Sequence, residues 1–180
     1  MAVVFFLHGL ESGPDGLKIQ AMREVAHQQG WRSEAPDFRG MRDPALRLKH
    51  LLPLLPAHEP LAFVGSSLGG FVAAQAAAEL AASRPDCQLL GLFLLCPAFD
   101  LPGYPLDRPD QPLRGDAVRL IHGRHDSVVP LANSERAARD WQSSLLVTED
   151  EHPLHNSVAL ITAWLGDWLP RLTPLTCRKQ

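Results

Sequence analysis

The sequence predicts an α/β domain in which helices cover both faces of a parallel sheet of about six strands. Three observations carry that prediction. Short apolar runs of strand length alternate with longer stretches at helical spacing, the pattern of successive βα units. The chain has 180 residues, which suits one domain. Hydrophobic residues make up 46% and charged residues 21%, an ordinary globular composition with enough apolar mass to offset chain entropy.

Taken in order, Val3–Leu7 is a continuous apolar run and reads as a buried first strand. After the turn Pro14-Asp15-Gly16, Leu17–Gln28 carries Ile19, Met22, Val25 and Ala26 at helical spacing. Arg32–Ala35 is a weaker strand ended by Pro36. Ala45–Leu55 places Leu48, Leu51, Leu52 and Leu55 on one helical face and closes at Pro56. Leu61–Val64 is the next strand, and Leu68–Ala82 is an alanine-rich helix. Its small side chains would let it lie close to the sheet, which predicts a central position. Leu89–Leu95 is a strand, and Pro97–Gly115 follows with prolines at 102, 105, 109 and 112. That density forbids a regular strand or long helix and predicts a surface excursion at the edge where parallel sheets place their sites. Ala117–Ile121 and Leu145–Thr148 are the last strands, separated by a helix over Leu131–Trp141 behind Pro130. Asn156–Leu169 has Ile161, Trp164, Leu165 and Trp168 in an amphipathic stripe, with Asn156 as N-cap and Pro170 as stop. The domain is thus expected over residues 1–170, with a polar tail at 171–180.

Composition excludes several classes of function. With 17 basic and 20 acidic residues the net charge is −3, so no basic field is available to hold a nucleic acid. The three cysteines, Cys87, Cys96 and Cys177, are odd in number and widely spaced, which argues against a disulfide framework or a zinc knuckle. Reduced thiols in a cytoplasmic setting fit better. The N-terminus lacks the basic region and cleavage site of a signal peptide, and no stretch approaches the ~20 apolar residues of a membrane span. No patch announces a partner, and a monomer or homodimer is expected.

Gly65-Ser66-Ser67-Leu68-Gly69 matches G-x-S-x-G. It follows a buried strand and opens a helix, the context that identifies a nucleophile elbow. The central Ser67 is the candidate nucleophile; Ser66 reads as a turn or cap residue. The helix start supplies unpaired N–H groups, and that of Leu68 is a candidate donor to an oxyanion. The loop after the first strand, His8-Gly9-Leu10, supplies the second candidate, the N–H of Leu10. His8 itself reads as a buried residue holding that loop.

A serine hydroxyl needs a base, and the base needs an orienting carboxylate. Asp126 sits in the loop after the Ala117–Ile121 strand and is the candidate acid; Asp100, Glu149 and Asp150 are competitors, Asp100 first among them. The base should lie between the last strand and the last helix, where His152 and His155 both fall. His152 is nearer the strand end and is preferred, with His155 as the alternative. The pairs His122/His125 and His152/His155 form H-x-x-H, but this spacing on a strand-to-loop segment does not aim two rings one way, so no metal or other cofactor is expected.

These segments, F-L-H-G-L, P-D-F-R-G, V-G-S-S-L-G-G, L-I-H-G-R-H-D-S-V-V-P and E-H-P-L-H, together resemble the α/β-hydrolases in the family's own order and across nearly the whole chain. The sequence is most similar to small, compact bacterial hydrolases of the YqiA/YcfP type. The resemblance implies a compact, doubly wound, mostly parallel sheet without a cap domain, and a Ser-Asp-His triad falling on Ser67, Asp126 and His152. Relatives often carry a glycine shortly before the catalytic histidine. Here the approach is Thr148-Glu149-Asp150-Glu151, an acidic run expected to raise the histidine's pKa.

The 19-residue excursion Pro97–Gly115 is too short and too proline-rich for a cap, so the site should be open, with Phe99, Leu101 and Tyr104 as a modest apolar wall. The expectation is a serine hydrolase of carboxylesterase type acting on small-molecule esters through an acyl-enzyme. A thioesterase, amidase or peptidase with the same triad, and a non-catalytic interaction module on a hydrolase scaffold, are the alternatives.

Overall fold

The computed structural model describes residues 1–84, 86–105 and 112–172. The expected tail beyond 172, with Cys177, and positions 106–111 of the proline-rich excursion lie outside the described residues. Six strands, β1 (Val3–Leu7), β2 (Arg32–Glu34), β3 (Pro60–Ser66), β4 (Gln88–Leu95), β5 (Val118–Gly123) and β6 (Ser144–Thr148), form one sheet. Every pairing is parallel, in the spatial order β2-β1-β3-β4-β5-β6. Parallel neighbours require crossovers. Helices α1 (Leu17–Gln28), α2 (Pro44–Leu51), α3 (Leu68–Ser83) and α4 (Leu131–Asp140) supply four of them, and α5 (Val158–Trp168) follows the last strand.

The strand period of two divides the core. Val3, Phe5 and Leu7 of β1 face the side covered by α2, α3 and α4, where Leu51, Phe71, Ala73, Ala137 and Trp141 are buried. Val4 and Phe6 face the other side, against Ile19, Met22 and Ala26 of α1 and Ile161, Leu165 and Trp168 of α5. The sheet is therefore doubly wound. Chain order reverses between β1 and β3, which lie side by side, so the crevice beyond their C-terminal ends is the topological switch point of this sheet. Among the described residues no separate cap domain rises there. The described part of the excursion carries an isolated antiparallel bridge between Leu101 and Tyr104. Among the described residues no helix is long and apolar enough to cross a membrane.

Three expectations are corrected. The helix expected to reach Leu55 ends as an α-helix at Leu51 and tightens into a 3-10 turn over Leu52–Leu54. Pro53 has no N–H for the ladder and crowds the carbonyl four residues back. The helix expected over Leu131–Trp141 ends one residue earlier, at Asp140, with Trp141 as its C-cap. Asn156 does not cap α5. It lies inside a 3-10 turn, His155–Ser157, and its backbone and side-chain amides donate to Asp150 instead.

Trp168 shows how tightly the α1/α5 side is filled. Its side chain is fully buried, its Nε1–H donates to the Asp116 carbonyl at 2.9 Å, and its ring lies on Phe93 at 5.4 Å between centroids. Truncation would open a large cavity and orphan that carbonyl. Trp168→Ala is expected to lower unfolding free energy by about 3–5 kcal/mol, measured by urea titration against the unaltered chain.

Candidate active site

Ser67 joins β3 to α3 with φ 53° and ψ −118°, a conformation a non-glycine residue adopts only where its surroundings force it. Two glycines make the turn possible. A Cβ on Gly65 would sit 2.5 Å from the Gly69 carbonyl oxygen, and one on Gly69 would sit 1.9 Å from the Leu7 carbonyl oxygen. Ser67 is half-buried at the head of α3, and its carbonyl accepts from the N–H groups of Gly70, Phe71 and Ala98. The hydroxyl is left to project beyond the strand ends.

His152 Nε2 lies 2.9 Å from Ser67 Oγ, and its Nδ1 lies 2.6 Å from Asp126 Oδ2. An ionised carboxylate only accepts, so Nδ1 carries the hydrogen and Nε2 in the neutral ring accepts from the serine. The Asp126 side chain is fully buried. Its Oδ1 accepts from the backbone N–H groups of Val128 and Val129, each at 2.8 Å. Burial alone would raise its pKa. The hydrogen bonds from His122, His152, Val129 and Val128 outweigh it and hold the carboxyl far below the usual range. The arrangement can accept a proton from Ser67 and balance the resulting imidazolium.

The remaining expected residues fall as follows. His155 is exposed in the 3-10 turn, and the imidazole at Ser67 is that of His152. Asp100 pairs with Arg136 at 3.5 Å. Of the acidic run expected to act on His152, Glu149 pairs with Arg124 and His125, and Asp150 is spent on the loop backbone. Among the described residues the N–H groups of Leu10 and Leu68 have no hydrogen-bond acceptor. Phe99 is not part of an open wall: it is fully buried, edge-on to Trp141 at 5.5 Å. Leu101 and Tyr104 are partly exposed, and the Tyr104 ring meets Phe71, in the first turns of α3, at 5.5 Å.

Two residues escaped the sequence reading. His122 is fully buried at the end of β5. Its Nε2 donates to the Val129 carbonyl at 3.0 Å and lies 3.2 Å from Asp126 Oδ2, while Nδ1 pairs with Ser134 Oγ at 2.7 Å. The signal was its place four residues before the candidate acid, at the end of the same strand. Cys96, His122 and Asp126 offer ligand atoms within 4.8 Å of one another, the one spacing among the described residues that suits a metal. Their chemistry does not favour one. The His122 nitrogens are engaged, and burial pushes the Cys96 thiol up to about 12, so it keeps its proton. Arg47, on α2, is the second missed residue. It is buried on the same helical face as Leu51, and a cation on an apolar stripe was its signal.

Asp150 ties down the segment that carries His152. It is 5% exposed and accepts from the N–H groups of Glu151 and Asn156, the Asn156 side chain and Ser157 Oγ. Lys18 of α1 reinforces the segment by donating to the Pro153 carbonyl at 2.7 Å. Burial opposes the charge of Asp150, but the hydrogen bonds from Ser157, Glu151 and Asn156 prevail and lower its pKa. A lowered folded-state pKa stabilises above the unfolded pKa, and that stabilisation disappears as pH falls through the folded one. Asp150→Ala should therefore cost ~1–3 kcal/mol near neutral pH. The deficit should shrink once the unaltered chain is brought to about pH 3, below the ordinary aspartate value, as read by urea unfolding at both pH values.

Comparison with known proteins bears on the fold. Residues 3–84 match the uncharacterised protein family UPF0227. No curated protein sequence matches the chain significantly. Among solved structures, a hydrolase of the alpha/beta superfamily from Xanthomonas campestris pv. campestris is 30% identical, with TM-score 0.78 over 95% of this chain and 99% of that one. Alpha/beta hydrolase domain-containing protein 10 from mouse, 19% identical, superposes with TM-score 0.74 over 95% of this chain and 90% of its own. Est1E from Butyrivibrio proteoclasticus, 18% identical, does so with TM-score 0.75 over 95% and 88%. The last two share the fold. The first shares sequence as well along almost its full length, and with it the chain belongs to the alpha/beta-hydrolase superfamily.

Proposed function

We propose that this hydrolase cleaves small carboxylic esters with Ser67 as nucleophile. The observation that carries the reading is the unbroken line of hydrogen bonds from Ser67 Oγ through His152 to the buried Asp126. Ser67 Oγ attacks the ester carbonyl as its proton passes to His152 Nε2. The developing imidazolium is balanced by Asp126. Charge building on the carbonyl oxygen falls to the N–H groups of Leu10 and Leu68, whose hydrogens are uncommitted among the described residues. Collapse breaks the bond to the alcohol, which leaves with the proton from His152. Water then attacks the acyl-serine by the same route and releases the acid.

Leu101 and Tyr104 offer a short apolar surface, since Phe99 is withdrawn into the core. Among the described residues that wall is short, which suits small acyl groups. Est1E, which shares the fold, holds ferulic acid in one structure, so a scaffold of this kind accepts a small carboxylic acid. The free thiols Cys87 and Cys96 are in keeping with a reducing, cytoplasmic setting.

Ser67→Ala should lower kcat on p-nitrophenyl butyrate by at least ~10⁴-fold with circular dichroism unchanged. A fluorophosphonate probe should leave its adduct on Ser67. Undiminished turnover in that variant defeats the assignment. Across a panel, acetyl and butyryl esters should exceed palmitoyl esters in kcat/KM. Faster turnover of long-chain esters would contradict the open, short wall, and faster turnover of thioesters or peptides would reassign the bond cleaved.

A further inference from the structure

Arg47 is 1% exposed, yet among the described residues its guanidinium hydrogen-bonds to carbonyl oxygens and pairs with no carboxylate. Burial lowers its pKa to about 10, so the group is still a cation at neutral pH. Desolvating an unpaired guanidinium is expensive, and the fold meets the cost with backbone carbonyls. Nε donates to Met41 O at 2.7 Å, Nη1 to His8 O at 2.7 Å and Nη2 to Gly9 O at 3.3 Å. The Phe38 ring lies 5.2 Å below the guanidinium carbon. Two of these three carbonyls belong to the loop that follows β1, next to Ser67.

We propose that Arg47 is a positioning residue for ester cleavage: its fork holds the Gly9–Leu10 peptide in the one orientation that turns the Leu10 N–H toward Ser67. The inference rests on the reading of Ser67 as a nucleophile. The peptide is trans, and in a trans peptide C=O and N–H point in opposite directions. Whatever fixes the Gly9 oxygen therefore aims the Leu10 hydrogen. That oxygen is held by Arg47 Nη2 and by His8 Nδ1 at 2.7 Å. Gly9 itself abuts the nucleophile, since a Cβ there would lie 3.3 Å from Ser67 Cβ.

His8 alone is a weaker restraint. Its ring is attached to the same loop and moves with it, although the Phe38 N–H donates to its Nε2 at 2.8 Å. Arg47 instead ties the loop to α2. A flipped peptide would present the Gly9 carbonyl oxygen to an incoming oxyanion and repel it. The charge adds a second effect. A hydrogen bond from a cation polarises the peptide and strengthens its N–H as a donor, with the positive potential placed behind the developing negative charge. A neutral donor at the same place could satisfy the carbonyls but would not do this.

The test compares unaltered enzyme with Arg47→Met, which keeps bulk but removes all donors, and Arg47→Lys, which keeps the charge but not the fork. Folded sites are counted by end-point titration with a fluorophosphonate, and kcat on p-nitrophenyl butyrate is expressed per titrated site. The inhibition constant of an alkyl trifluoromethyl ketone, whose serine adduct carries an oxyanion, is measured alongside. Arg47→Met should lose on the order of 10²-fold in kcat per titrated site, with KM within about threefold. Its inhibition constant should rise in parallel, and Arg47→Lys should fall between. The proposal is overturned by kcat per titrated site within about twofold of the unaltered enzyme in both variants. It is equally overturned if ketone affinity is unmoved, or if the loss is confined to the number of titratable sites, including their complete absence in both variants. Unaltered protein that neither turns over the ester nor takes up the probe would defeat the hydrolase reading itself, and the Arg47 role with it.

Discussion

The site depends first on how closely α3 lies against β1. Gly69 faces the Leu7 carbonyl with no room for a methyl group. That contact draws the start of α3 over the sheet and sets Ser67 beside the loop leaving β1. The turn after β3 and the loop after β1 then lie side by side at Gly9 and Ser67, although 57 positions separate Leu10 from Ser67 in the sequence. Ala73, Ala74, Ala76 and Ala77 further along α3 are buried, and their small side chains let the helix stay close to the sheet beyond the turn. The glycines around Ser67 thus do two things at once. They permit the strained turn, and they set how closely Ser67 lies to the loop leaving β1.

Around that contact the C-terminal edge of the sheet carries buried polar groups, and those bracing the segments next to Ser67 have their partners. His8 and Arg47 brace the β1 loop, Asp126 is saturated by two backbone amides and two imidazoles, and Asp150 gathers the segment that bears His152. A buried polar group costs little when its hydrogen bonds are made and much when they are not, so such a network admits few alternative arrangements. It holds Ser67, His152 and Asp126 each within hydrogen-bonding distance of the next, and it does so from rigid elements: strand ends, the start of α3 and the body of α2.

Much of this was legible in the chain. The β1 and α1 limits agree with the periodicity to the residue, because a buried parallel strand and an amphipathic helix write their periods directly into hydropathy. Ser67 was legible because the elbow needs glycine at two fixed positions. Boundaries failed where local chemistry competes with period, as at Pro53, which ends α2 early, and at Asn156, which serves Asp150 rather than its own helix. Phe99 was misplaced because an aromatic residue in a proline-rich loop reads the same whether it faces solvent or Trp141.

By itself the sequence determined the order of elements, the two-sided burial of the sheet and the identity of the strand-to-helix turn, since each is a local pattern of side-chain size and polarity. Only the tertiary structure decided which imidazole reaches Ser67, which carbonyls the buried guanidinium of Arg47 holds, and that His122 shares the carboxylate of Asp126. Those choices depend on distances between residues remote in the chain. Such distances follow from how helices pack on the sheet, a sum over many contacts that no short window of sequence records.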